Sequence, residues 1–154
     1  MRTIYDIADY YLAKEAMTPK KLQKILYYAY SWFLTLENEP DQGLTNKLFN
    51  EQFEAWVHGP VNYEIYKKYQ DYGSDLIEKY TGKIKTFSQD VIDVLEEVWR
   101  TYGGNTAYQL EHFTHQEAPW LIARGDTPPM NRCRAVINDE NIYNFYKNWI
   151  EHSG

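Results

Sequence analysis

The side chains able to perform acid–base chemistry are few and widely spread. His112 and His115 are three positions apart, close enough to share a helix face, and Glu117 follows them. A catalytic zinc site needs three protein ligands and a structural one needs four, and no third ligand stands at a recognisable spacing. Histidines that bond backbone groups or cap helices are the favoured interpretation, so we expect no metal and no other cofactor.

The one candidate nucleophile is Cys133, which lies between Arg132 and Arg134. A thiol nucleophile also needs a base and a group that orients the base, and the sequence identifies neither. P-loop, dinucleotide, EF-hand and HExxH motifs are absent from the sequence. We therefore predict no catalytic residue and a binding function. An enzyme that uses His115 with Glu117 or Cys133 is the alternative from a different class.

Bulk composition narrows the class of protein further. The 154 residues fit one domain, predicted over residues 1–154, and the single cysteine excludes an internal disulfide. The net charge of −6 argues against binding to a nucleic-acid backbone, which requires a clustered basic surface. No signal peptide or long apolar run is visible, so we expect a cytoplasmic protein that does not enter a membrane.

The stretch that must position the rest is predicted to be a central helix at about residues 18–37. Thr18 followed by Pro19 is typical of a helix start, because the hydroxyl caps free amides and proline fits the first turn. Apolar side chains then recur at helical spacing: Leu22, Ile25, Leu26, Ala29, Phe33 and Leu36. Tyrosines and Trp32 cover much of the remaining surface, so we expect other elements on nearly every side.

The flanking segments predict a mainly α, compact bundle of six or seven helices. Helices are expected over 3–14, from Pro60 to about Tyr72, from Ser88 to about Tyr102, from Asn105 or Thr106 through His112, and over 115–124. Residues 53–58 alternate in polarity and predict a small extended element at most. A last helix is capped by Asn138, with an apolar side predicted to face inward: Ile142, Phe145, Tyr146, Trp149 and Ile150.

Three motifs together resemble the Panacea domain, the SocA-like antitoxin family. They are MTPKKLQKILYYAYSW at residues 17–32, FEAWVHGPV at 53–61, and THQEAPW at 114–120 with Arg124. The resemblance covers nearly the whole chain, and the motifs mix polar and aromatic types that helical periodicity alone does not demand. His58 departs from the family pattern, in which an aromatic residue such as tyrosine is expected more often at that position.

The resemblance implies an antitoxin, often phage-associated, that neutralises a toxin encoded by an adjacent gene through direct protein–protein binding. Delivery of the toxin to a protease is the runner-up, because the motifs do not distinguish the two modes. Self-association is left open.

The three motifs supply the candidate site residues. We predict a partner-binding surface on the loop after Trp56 and on exposed tyrosines of the central helix: Tyr27, Tyr30, Trp56, His58, Gly59 and Pro60. The other motif residues are predicted to maintain the fold: Lys21, Gln23, Lys24, Tyr28, His115, Glu117, Pro119, Trp120 and Arg124. Among these, His115, Glu117 and Arg124 are expected to form one buried polar network that ties the last third of the chain to the central helix.

Overall fold

The computed structural model describes residues 2–153, and these are mainly α-helical, as predicted. Within this range lie seven α-helices and one two-stranded hairpin. The helices are α1 (Ile4–Leu12), α2 (Pro19–Leu36), α3 (Tyr63–Tyr69), α4 (Gln89–Tyr102), α5 (Ala107–His115), α6 (Ala118–Arg124) and α7 (Asp139–His152). The strands are β1 (Glu54–Trp56) and β2 (Gly59–Val61). None of the helices in residues 2–153 combines the length and hydrophobicity that crossing a bilayer requires.

Helix α2 is the centre of the bundle, which confirms the predicted central helix. The Thr18 hydroxyl accepts from the Lys21 amide at 3.2 Å, and Pro19 occupies the first turn. α2 packs against α1, α3, α4, α5, α7 and strand β2. Because neighbours surround it, Tyr27 and Tyr30 are buried, and the prediction that these two tyrosines are exposed is wrong. Tyr28, predicted to maintain the fold, is buried too.

Residues 54–61 form an antiparallel hairpin with Val57 and His58 at its tip. The register pairs Glu54 with Val61, Ala55 with Pro60, and Trp56 with Gly59. The extended element predicted near residues 53–58 is therefore present. The prediction that Pro60 opens a helix is wrong, because this proline lies within β2.

Helix α3 begins three residues after the hairpin proline. The Asn62 side chain caps it by accepting from the Ile65 amide at 3.0 Å. Asparagine is a strong capping residue, so the start of this helix is set by Asn62 rather than by Pro60.

The end of α7 departs from the prediction. Ile142 and Tyr146 are buried as expected, but Trp149 and Ile150 remain 42% and 41% exposed. At the matching end of α2, Leu36 is 50% exposed. The apolar stripes of α2 and α7 therefore continue past the core and line an open groove between α4 and α7.

Gly59 supplies a conformation that other residues rarely adopt, with a φ of +105°. A Cβ at Gly59 would lie 2.7 Å from Cε of Lys24 and 2.9 Å from Oγ1 of Thr114. We expect Gly59→Ala to lower the free energy of unfolding by roughly 3 kcal/mol, from strain and overpacking together.

Urea denaturation followed by circular dichroism measures this loss. Gly73→Ala is the matched control, because Gly73 has a φ of +56° but a Cβ there would meet no neighbouring atom within 4 Å. Gly73 has a ψ of −116°, outside the left-handed helical region, so strain alone predicts a loss of about 1–3 kcal/mol there, and overpacking should make the loss at Gly59 larger. Equal losses in the two variants would contradict close packing at Gly59.

Candidate functional site

Some main-chain groups of the hairpin are not hydrogen-bonded between its own two strands. Ala55 and Pro60 face each other, but Pro60 has no amide and the Ala55 amide donates instead to the Ala135 carbonyl at 2.9 Å. The carbonyls of Ala55 and Pro60 thus need partners from outside the hairpin. Buried carbonyls without partners are costly, so the surrounding helices must supply donors.

Helix α2 bonds the Pro60 carbonyl and both main-chain groups of Asn62, the residue that follows the hairpin. Lys24 Nζ donates to the Pro60 carbonyl at 3.1 Å. The Gln23 side-chain amide donates to the Asn62 carbonyl at 2.9 Å and accepts from the Asn62 main-chain amide at 2.8 Å. Both side chains are buried, so these two polar residues of the central helix make an internal contact with the hairpin and with Asn62.

Helices α5 and α6 bond the carbonyls of Ala55, Trp56 and Val57. Nε2 of His115 lies 2.9 Å from the Val57 carbonyl, and Nε1 of Trp120 donates to the Trp56 carbonyl at 2.8 Å. Nη1 of Arg124 donates to the Ala55 carbonyl at 3.0 Å. We name the five side chains that hold the main chain of residues 55–62 the hairpin cradle: Gln23, Lys24, His115, Trp120 and Arg124.

Charged groups surround the cradle near the hairpin tip. Burial lowers the pKa of Lys24 to about 7, with Lys20 adding to the shift and Glu111 opposing it. Burial opposes ionisation of Glu111, but hydrogen bonds from Lys20 and His58 hold its pKa below the usual value. Burial also lowers the pKa of His115. The sequence does not reveal the pairing of Lys20 with Glu111, because this contact joins α2 to α5 across a long stretch of chain.

Glu117 lies in a separate interior cluster. Its carboxylate accepts from the Tyr28 hydroxyl at 2.9 Å and from the Tyr146 hydroxyl at 2.5 Å. Burial raises its pKa to about 7, against the opposing effect of these two hydrogen bonds. Glu117 therefore ties the start of α6 to α2 and α7, whereas His115 and Arg124 bind the hairpin. The prediction of one network is wrong, since these residues belong to two.

These contacts bear on the alternative of an enzyme. His115 and Glu117 make their hydrogen bonds in different clusters, and His112 contacts Gln116 at 2.8 Å. In residues 2–153, no group of three histidine, cysteine or acidic side chains is placed to hold a metal ion. Cys133 is a free, partly buried thiol. The structure thus places His115 and Glu117, which the enzyme alternative would pair, in separate clusters.

The predicted partner-binding residues divide by burial. Tyr27, Tyr30, Gly59 and Pro60 are buried, so a partner cannot contact these residues on the folded surface. Two residues remain accessible. The Trp56 ring is partly buried against Tyr66, with its Nε1 donating to Glu54 at 2.8 Å, and His58 is exposed beside Glu111.

The remaining motif residues contribute to helix ends. Lys21 Nζ donates to the Gly103 carbonyl at 2.7 Å and so closes the C-terminus of α4. Pro119 occupies the first turn of α6, which begins at Ala118 rather than at the predicted residue 115. Residues up to His115 instead extend α5 beyond its predicted end at residue 112.

Comparison with known proteins gives a consistent result. The family described as "Antitoxin SocA-like, Panacea domain" matches residues 22–121. Antitoxin SocA of Caulobacter vibrioides (strain NA1000 / CB15N) is 32% identical over 135 residues, covering 77% of this chain and 68% of that protein. There is no significant match among solved structures.

Arg124 offers a test of the hairpin cradle. Besides Ala55, its guanidinium donates to the carbonyls of Pro128 at 2.8 Å and Asn131 at 2.7 Å. The single ammonium group of a lysine cannot reach both the hairpin carbonyl and the carbonyls that follow α6. We therefore expect Arg124→Lys to lower the free energy of unfolding by roughly 3 kcal/mol.

Chemical denaturation measures this effect, and Arg134→Lys is the matched control. Arg134 also contacts the hairpin, through Glu54, but its side chain is 60% exposed. A surface ion pair of this kind contributes about 1 kcal/mol or less. A loss in Arg124→Lys no larger than in the control would contradict the role of the cradle.

The raised pKa of Glu117 should make the stability of the protein depend on pH. Its folded pKa of about 7 exceeds the ordinary value of 4.5, so the folded state binds more protons between these two values. The free energy of unfolding therefore falls as pH rises through this interval, by roughly 3 kcal/mol at most from this group.

Glu117→Gln stays neutral and removes this contribution. We expect the variant to gain stability relative to wild type as pH rises from about 5 to about 8, in denaturation curves collected at each pH. A stability difference that does not change with pH would show that Glu117 titrates as an ordinary carboxyl.

Proposed function

This chain belongs to the SocA-like antitoxin family that carries the Panacea domain, and we propose that it neutralises a toxin protein by binding it directly. The toxin is the product of an adjacent gene, and both proteins act in the cytoplasm. Family membership is the observation that carries this proposal. The protein acts as a stoichiometric binder and not as an enzyme.

The contacts of the polar motif residues support binding over catalysis. Lys24, His115 and Arg124 are the side chains best suited to acid–base or anion chemistry, and each bonds a main-chain carbonyl of the hairpin. A catalytic group must instead reach the reacting atoms of a substrate. With their donors engaged inside the fold, these residues stabilise the scaffold, and exposed side chains are left to contact the partner.

Direct neutralisation is favoured over delivery of the toxin to a protease because it requires fewer binding surfaces. Binding alone requires one complementary surface, whereas delivery requires a second surface for the protease. Within the predicted partner-binding loop, Trp56 and His58 are the accessible contact candidates. Aromatic and imidazole side chains on a rigid turn lose little conformational entropy on binding.

Co-expression tests the proposal. We expect expression of the adjacent gene alone to arrest growth and co-expression of this chain to restore it, because the bound toxin is inactive. Purification of the tagged chain then recovers the toxin in a fixed ratio. A harmless neighbouring protein, or a toxin that still arrests growth beside this chain, would contradict the function.

Toxin abundance separates the two modes. In direct neutralisation, the toxin level on an immunoblot stays constant while growth recovers. In protease delivery, the level falls when this chain is expressed and recovers when the cytoplasmic proteases are deleted. Arg124→Lys serves as the destabilised control, because it should lose protection through unfolding and not through altered contacts.

A further inference from the structure

An apolar groove of about 810 Å³ lies at the end of the bundle where α2 and α7 run past the core. Its walls are α4 and α7, and its floor is the end of α2 with Trp32 and Leu36. Along each wall the lining residues recur at helical spacing: Val94, Glu97, Val98 and Thr101 on α4, and Phe145, Trp149 and Ile150 on α7, followed by Ser153 just beyond its end. These rows extend about 10 Å, which corresponds to roughly two helical turns.

Large apolar side chains in this groove remain open to solvent. Leu36, Trp149 and Ile150 are each 41% to 50% exposed. Contiguous exposed apolar surface of this kind marks interaction sites in soluble proteins. The sequence pattern of α2 and α7 predicts burial for all three, so a partner that covers them completes the pattern.

The α2 end of the groove is acidic. Glu37 follows Leu36 directly, burial raises its pKa, and the nearby carboxylates of Asp90 and Asp93 add to this shift. The ion pairs among residues 2–153 involve none of these three carboxylates. Asp90 stabilises the N-terminus of α4, but Glu37 at the end of α2 gains no such stabilisation.

We propose that this groove binds an amphipathic helix of the toxin, with an apolar stripe along the groove and lysine or arginine side chains at the acidic end. A trough walled by two helices and about two turns long accepts a third helix through anchors at i, i+3 or i+4, and i+7. Carboxylates without a cationic partner select basic flanks over acidic ones. This inference rests on the proposed function, since it names the site that the toxin occupies.

Two groove variants test the apolar contact, with dissociation constants for the purified toxin as the readout. Ile150→Lys and Leu36→Lys place a charge at half-exposed positions, where lysine reaches water without unfolding the bundle. We expect each to weaken binding by roughly 30-fold. Ile122→Lys is the matched control, because Ile122 is 56% exposed on α6 and does not line the groove.

A charge reversal tests the acidic end. Asp90→Lys combined with Asp93→Lys should weaken binding by about tenfold at low ionic strength and less at high salt, as expected for a charged rim. Asp126→Lys, at an exposed position after α6, is the control and should bind as wild type. Overlapping peptides that span the toxin then identify the bound segment, which should be amphipathic as a helix and basic.

The outcomes distinguish an error in the groove assignment from an error in the proposed function. If the wild type fails to protect cells, the proposed function is wrong. If it protects, but groove variants bind normally and His58→Ala does not, the interface is the hairpin tip and the groove assignment is overturned. A wild-type dimer that Ile150→Lys dissociates in sedimentation would overturn it too, because the groove would then be a self-association site. Protection of α4 and the end of α7 from hydrogen exchange by bound toxin supports the assignment.

Discussion

The pairing of the hairpin main chain is the constraint on which the other contacts depend. Ala55 and Pro60 lie opposite each other without pairing their carbonyls, so both carbonyls find donors elsewhere. An unpaired buried carbonyl costs about 1–3 kcal/mol, and the donors come from α2 and α6, which are distant in sequence. The hydrogen bonds to these hairpin carbonyls therefore hold the central helix and the last third of the chain in one arrangement.

The second constraint is the burial of two ionisable side chains, one on the central helix and one at the start of α6. Lys24 and Glu117 both have pKa values of about 7, shifted in opposite directions because burial disfavours each charged form. Their hydrogen bonds go to neutral groups, since Lys24 binds a carbonyl and Glu117 binds the hydroxyls of Tyr28 and Tyr146. Such groups stabilise little by themselves, but they penalise any packing that leaves them without partners.

Local patterns in the sequence predict the elements of this fold better than its contacts. Thr18 with Pro19 and the apolar stripe locate α2, because capping and periodicity act within a few residues. The same reasoning misplaces Pro60, because a proline fits both the first turn of a helix and a strand position without a ladder amide. Only the pairing with Ala55 selects between them. The separation of His115 from Glu117 is likewise set by tertiary packing, which spacing does not encode.

The hairpin cradle also explains why the motifs identify the family but do not identify a partner. Gln23, Lys24 and Arg124 bond main-chain atoms, so they are required by the shape of the hairpin whichever protein is bound. A bond to a main-chain carbonyl does not depend on the side chain that the accepting residue carries. The scaffold can therefore keep these bonds while surface side chains change. Exposed positions outside the motifs, such as Ile150 in the proposed groove, can change without disturbing the bonds that define the fold.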